Sequence, residues 1–115
     1  MCCCHSSNNH YSVLMKNNND PQHELAKSIG VALTHRGWKM ALAESCTGGL
    51  VCATLTDLAG SSDWFERGYI TYSNQAKAQC LDVSTELLES FGAVSEEVAR
   101  AMALGAQHNA KVHVA

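Results

Sequence analysis

Residues Glu44 to Gly49 read Glu-Ser-Cys-Thr-Gly-Gly, and the hydrophobic pattern changes period across them. Before them, Trp38, Met40 and Leu42 alternate with Lys39, Ala41 and Ala43, which suits a half-buried strand from Trp38 to Ala43. After them, Leu50, Val51, Leu55 and Leu58 fall at helical spacing. The six residues therefore form a strand-to-helix turn. Such a turn sets hydroxyls and free N–H groups at a helix N-terminus, where the macrodipole favours an anion or a developing oxyanion. Ser45, Cys46 and Thr47 are its candidate reactive residues.

The rest of the chain has to supply the scaffold for that turn. A chain of 115 residues allows one domain with a modest core. The net charge of −3 and the lack of any basic run argue against nucleic acid as a partner. No apolar stretch approaches a membrane span of about 20 residues, and no leader of the secretory kind is evident, so a cytoplasmic protein is expected. Of the six cysteines, Cys2, Cys3 and Cys4 are consecutive, and Cys46 and Cys52 fall on or near one helix, a spacing that suits reduced thiols. Cys2 to His5 lacks the paired spacing of a structural zinc site, so no metal is expected. Residues 1–20 are rich in Cys, Asn and Ser and are expected to form a disordered extension, with one domain over 21–115.

Asp20 before Pro21 reads as an N-cap followed by proline at the first helical position. The predicted helix places Leu25, Ile29, Ala32 and Leu33 on one face and stops at Gly37. A second helix is expected from about Gly48 to Leu58, with a loop at Ala59–Asp63 turning around Trp64 and Phe65. The alternation from Gly68 to Ser73 predicts a second strand. Ser73 or Asn74 then caps a helix to Leu81, Ser84 one that ends at Gly92, and Ser95 one with Val98, Met102 and Ala106 on a single face. Val112 and Val114 begin a third strand. Strands alternating with helices indicate an α/β fold, a layered α/β/α domain with a small central sheet that is incomplete in this chain.

Lys77 falls in the first turn of its helix, where the dipole disfavours an ammonium, and that suits a general base. A solvated surface lysine is the plain alternative. A serine hydroxyl needs a base and an oxyanion donor, and neither Glu44–Gly49 nor Tyr72–Lys77 contains a histidine. A Ser-Lys arrangement of Ser45 and Lys77, with Tyr72 relaying through its hydroxyl and N–H donors from Thr47 to Gly49, meets those needs. The residues leave three roles open for the turn: a helix cap at Ser45 or Thr47, a serine nucleophile, or Cys46 as a thiol nucleophile.

Ala43-Glu44-Ser45-Cys46-Thr47-Gly48-Gly49 resembles the signature of the CinA C-terminal domain family, the bacterial nicotinamide-nucleotide amidases. The resemblance continues through Leu58–Ser62, Tyr72-Ser73-Asn74-Gln75-Ala76-Lys77 and Gly92–Ser95. It implies an amidase that converts nicotinamide mononucleotide to nicotinate mononucleotide and ammonia in pyridine-nucleotide salvage, without cofactor or metal. Carried over, the catalytic residues are Ser45, Tyr72 and Lys77, with Thr47, Gly48, Gly49 and Asn74 expected at the substrate. The partner implied is a small-molecule nucleotide, and homo-oligomerisation stays open. Family members continue past the strand at Lys111 into a Ser-Gly-Ile-Ala-Gly-Pro loop and further strands, so the chain resembles the N-terminal two-thirds of the domain. A catalytically inactive domain kept for binding or structure is the alternative expectation.

Overall fold

The computed structural model describes residues 20–115; of the extension expected over residues 1–20, all but Asp20 lies outside the described residues. The first helix, α1, spans Pro21–Arg36. Asp20 accepts from the Gln22 N–H at 3.0 Å, and Gly37 closes the helix in the left-handed region at φ 65. Its buried face is Ala26, Gly30 and Leu33, with Ile29 half-buried; Leu25, expected inside, is 65% exposed. The reason is Trp64, whose ring lies against Gly30 and draws the contact stripe one residue further along.

Strand β1 spans Met40–Glu44 and leads through the signature turn into helix α2, Leu50–Thr56. A short 3₁₀ turn at Ser61–Asp63 follows, then strand β2 over Phe65–Ile70. The second strand thus starts three residues earlier than the alternation predicts and ends before Thr71. An extra residue at Glu66, where Met40 pairs Phe65 but Ala41 pairs Arg67, breaks the period-two pattern at its start. The two strands pair in parallel, which is what a βαβ connection through α2 produces.

Three helices complete the chain: α3 at Asn74–Leu81, α4 at Thr85–Phe91 and α5 at Glu96–Ala110. Ser73, Ser84 and Ser95 cap them as expected, accepting from the N–H groups of Ala76, Leu87 and Val98. The expected third strand reduces to a bridge between Met40 and Val114, held by the Ala41 N–H donating to the Val114 carbonyl at 3.1 Å.

Strand alternation sorts the core into two layers, one on each side of the sheet. On one side Met40, Leu42 and Phe65 pack with Ala26, Leu33, Leu55 and Trp64 from α1, α2 and the turn before β2. On the other, Ala43 and Tyr69 pack on Leu81, Val83, Leu88, Val98, Met102 and Ala106. The result is an α/β/α layering around a small sheet. None of the described helices is long and apolar enough to cross a membrane.

Candidate active site

The carboxyl end of β1 delivers Glu44 and Ser45, and the carboxyl end of β2 delivers Thr71 and Tyr72, so the parallel pairing brings both segments to one edge of the sheet. The Thr71 N–H donates to the Glu44 carbonyl at 2.9 Å and ties the two ends together. One helical turn further on, Lys77 points back from α3. Its amine lies 3.1 Å from Ser45 Oγ and 3.0 Å from the Tyr72 carbonyl oxygen.

Lys77 is 1% exposed, which rules out the solvated-lysine reading. Neither of its two partners is charged, and no carboxylate lies within ion-pair distance of it among the described residues. The carbonyl of Tyr72 can only accept, so it fixes one amine hydrogen and turns the rest of the nitrogen toward Ser45. This orients the amine as the third member of a triad orients its base.

Tyr72 enters the site through that carbonyl. Its side chain is 72% exposed, and its hydroxyl bonds to neither Ser45 nor Lys77 among the described hydrogen bonds. Its ring lies at the rim of the cavity that Ser45 and Lys77 line. Sequence reading had no signal for the carbonyl, since every residue carries one.

Glu44 is the group that sequence reading passed over. It is 5% exposed, and its carboxylate accepts from the Thr47 hydroxyl at 2.6 Å, the Gly49 N–H at 3.2 Å and the Val51 N–H at 3.0 Å on one oxygen, and from the Cys52 N–H at 2.8 Å on the other. Burial alone pushes the carboxyl up, but the Cys52 thiol, the Thr47 hydroxyl and the Cys52 and Val51 N–H groups outweigh it and hold the acid down to about 2. The signal available was an acid directly before a turn whose helix start carries no side-chain cap of its own. The same proximity, after burial, drives the Cys52 thiol up to about 12. Cys52 packs against Gly68, where a Cβ would meet its sulfur, and is a protonated structural thiol.

This changes the expected donor set. The Gly49 N–H belongs to Glu44, and the Gly48 N–H donates to the Ser45 carbonyl at 3.0 Å. The N–H groups of Cys46 and Thr47 have no acceptor among the described residues. Free donors therefore sit on the two residues directly after Ser45. Gly48 and Gly49 matter for shape, with φ of 62 and 110, values that suit glycine.

Ser45, Cys46, Thr47, Tyr72 and Lys77 line one cavity of about 500 Å³, closed on its other sides by Leu42, Val51 and Met102 and by Val94 and Ser95 at the start of α5. Asn74 is exposed and lines a separate depression with Gln75 and Ala78. Cys46 is an exposed free thiol at the rim. A larger depression of about 810 Å³ lies between α1 and residues 57–64, lined by His23, Lys27, Thr34, His35 and Trp64, but its one side-chain hydroxyl, on Thr34, bonds to no histidine, amine or carboxylate among the described hydrogen bonds.

A family model described as the CinA C-terminal domain matches residues 22–115. A nicotinamide-nucleotide amidohydrolase PncC of Enterobacter agglomerans is 56% identical over 93 residues, 81% of this chain and 57% of that protein. Its counterpart in Escherichia coli strain K12 is 52% identical over 80% of this chain and 56% of its own length. A CinA-like protein of Syntrophobacter fumaroxidans is 60% identical over 79% of this chain and 22% of its own length. Among solved structures, the competence/damage inducible protein CihA of Agrobacterium tumefaciens superposes with a TM-score of 0.75 at 45% identity, over 81% of this chain and 55% of that one. The competence damage-inducible protein A of Klebsiella pneumoniae gives 0.78 at 36%, over 81% and 58%. The chain thus spans a little over half the length of the two amidohydrolases and of both solved structures.

Proposed function

The chain belongs to the CinA C-terminal domain family, and from that premise we propose that it hydrolyses the carboxamide of nicotinamide mononucleotide to nicotinate mononucleotide and ammonia. The observation that carries the reading is the buried Lys77 amine 3.1 Å from Ser45 Oγ. The names of the amidohydrolase relatives support a nicotinamide nucleotide as the substrate, and pyridine-nucleotide salvage in the cytoplasm is the setting this reading carries with it.

In this reading Ser45 Oγ attacks the carboxamide carbon while its proton passes to the Lys77 amine, which acts as the base. The carbonyl oxygen gathers negative charge and accepts from the Cys46 and Thr47 N–H groups, in the manner of an oxyanion hole. Lys77 then gives its proton to the departing nitrogen, which leaves as ammonia, and the acyl group remains on Ser45. Water, deprotonated by Lys77, attacks the ester, and collapse releases nicotinate mononucleotide and restores the serine hydroxyl. The Tyr72 ring, at the rim, serves as a flat apolar surface for the pyridine. Thr47 serves the substrate through its N–H, and Gly48 and Gly49 keep the approach to the turn free of side chains.

Ammonia release from the mononucleotide tests this in the chain, in Ser45→Ala and in Lys77→Arg. Both variants are expected to lose ~10²–10⁴-fold, the arginine because guanidinium stays charged. Equal rates in the chain and in Ser45→Ala remove Ser45 from the mechanism. Calorimetric binding of the mononucleotide with no ammonia from the unaltered chain would make the domain a binding module instead.

A further inference from the structure

Glu44 adjoins the nucleophile in the chain, yet its carboxylate bonds to neither the Ser45 hydroxyl nor Lys77 among the described hydrogen bonds. All four of its bonds run forward, to the Thr47 hydroxyl and to the N–H groups of Gly49, Val51 and Cys52. A helix start leaves such N–H groups without partners, so the carboxylate sits where an external anion would otherwise bind. With the Gly48 N–H on the Ser45 carbonyl and the Leu50 N–H on the Thr47 carbonyl, every donor from Gly48 to Cys52 is spoken for. Past Ser45 in the turn, the N–H groups of Cys46 and Thr47 have no acceptor among the described residues.

We infer that Glu44 is a positioning residue: by holding the Thr47 hydroxyl and the start of α2, it sets the backbone so that the Cys46 and Thr47 N–H groups meet the substrate's carbonyl oxygen. This rests on the hydrolase reading above. A further consequence is that the substrate's phosphate is kept off the start of α2, which a buried carboxylate already fills. The charge of Glu44 does not oppose the developing oxyanion strongly, because four donors already compensate it. Glutamine is the informative isostere. Its amide nitrogen would face donors at either carboxylate position, so the turn must shift while the side-chain volume stays the same.

The test measures kcat and KM for ammonia release from nicotinamide mononucleotide in the unaltered chain, Glu44→Gln, Thr47→Val and Thr47→Ser, each normalised to the folded fraction read by tryptophan fluorescence at pH 7. Labelling of Ser45 by a fluorophosphonate, read by mass spectrometry, runs alongside. The expected result is a 10- to 1000-fold loss of kcat in Glu44→Gln with KM within threefold. Thr47→Val should lose rate in the same direction, and Thr47→Ser should recover most of it. A merely structural Glu44 would lower the folded fraction and leave kcat per folded molecule unchanged, and that result overturns the inference. If Glu44→Gln does not fold, the threonine pair decides: an undiminished kcat in Thr47→Val overturns it equally. An unaltered chain that neither releases ammonia nor takes the label on Ser45 overturns the hydrolase reading, and the inference with it. A chain that does both while Glu44→Gln keeps full rate overturns the inference alone.

Discussion

Lys77 is an expensive residue to bury, and its surroundings show why the expense is tolerated: both partners, Ser45 and the Tyr72 carbonyl, sit at the edge of an open cavity. Replacing it by methionine keeps the volume and removes the desolvation penalty, while water can reach the two acceptors left behind. Lys77→Met is therefore expected to unfold at an equal or higher urea concentration than the unaltered chain while releasing no ammonia. Glu44 behaves in the opposite sense. Its acid is lowered from 4.5 to about 2, so folding gains on the order of 3 kcal/mol from it above the unfolded value. That contribution is lost as pH falls from 4.5 toward 2. Urea titrations at pH 7, 4.5 and 3 should show the stability gap between the unaltered chain and Glu44→Gln narrowing over the lower interval. The cysteines divide likewise: iodoacetamide on the native chain should modify exposed Cys46 and spare Cys52, whose thiol is held protonated, and Cys46→Ala should keep most of the ammonia release. Ser45 was legible as chemistry because it sits in a strand-to-helix turn, and Lys77 because it falls in the first turn of a later helix. Their meeting was not, since 32 positions separate them and only the strand pairing closes that distance. Glu44 was hidden because a carboxylate beside a serine reads first as a surface or catalytic acid.

At the scale of elements, the caps were the most readable part. Asp20, Ser73, Ser84 and Ser95 each place an oxygen where local chemistry alone demands one, and each helix starts there. The strands were less so, because β2 carries an extra residue at Glu66 and the burial stripe of α1 is set by a tryptophan from elsewhere in the chain. The α3–α5 packing was illegible for the same reason. Gly105 lies against the Leu81 carbonyl so closely that a Cβ would overlap it. Gly105→Ala is expected to push α5 off α3 at a cost of ~1–3 kcal/mol, measured as a shift of the urea midpoint. Since α3 carries Lys77 and α5 supplies Met102 and Ala99 to the cavity, kcat should fall in the same variant even under conditions where it is fully folded.

Across the whole molecule, β1, like β2, serves both core layers, with Met40 and Leu42 turned to one and Ala43 to the other. It is held unequally along its two edges. One edge carries five residue pairs to β2, and the other, among the described residues, carries one bridge, from Met40 to Val114 near the far end of the chain. The Val114 side is reinforced by His113, whose Nδ1 accepts from the Lys39 N–H at 3.0 Å and whose ring stacks on Trp38 at 5.8 Å. A contact of such long sequence separation closes late, and a short one opens often. Native-state hydrogen exchange should therefore be lopsided within one strand: the Ala41 amide, bound to Val114, exchanges through a local opening, while the Thr71 amide, bound to Glu44, waits for global unfolding.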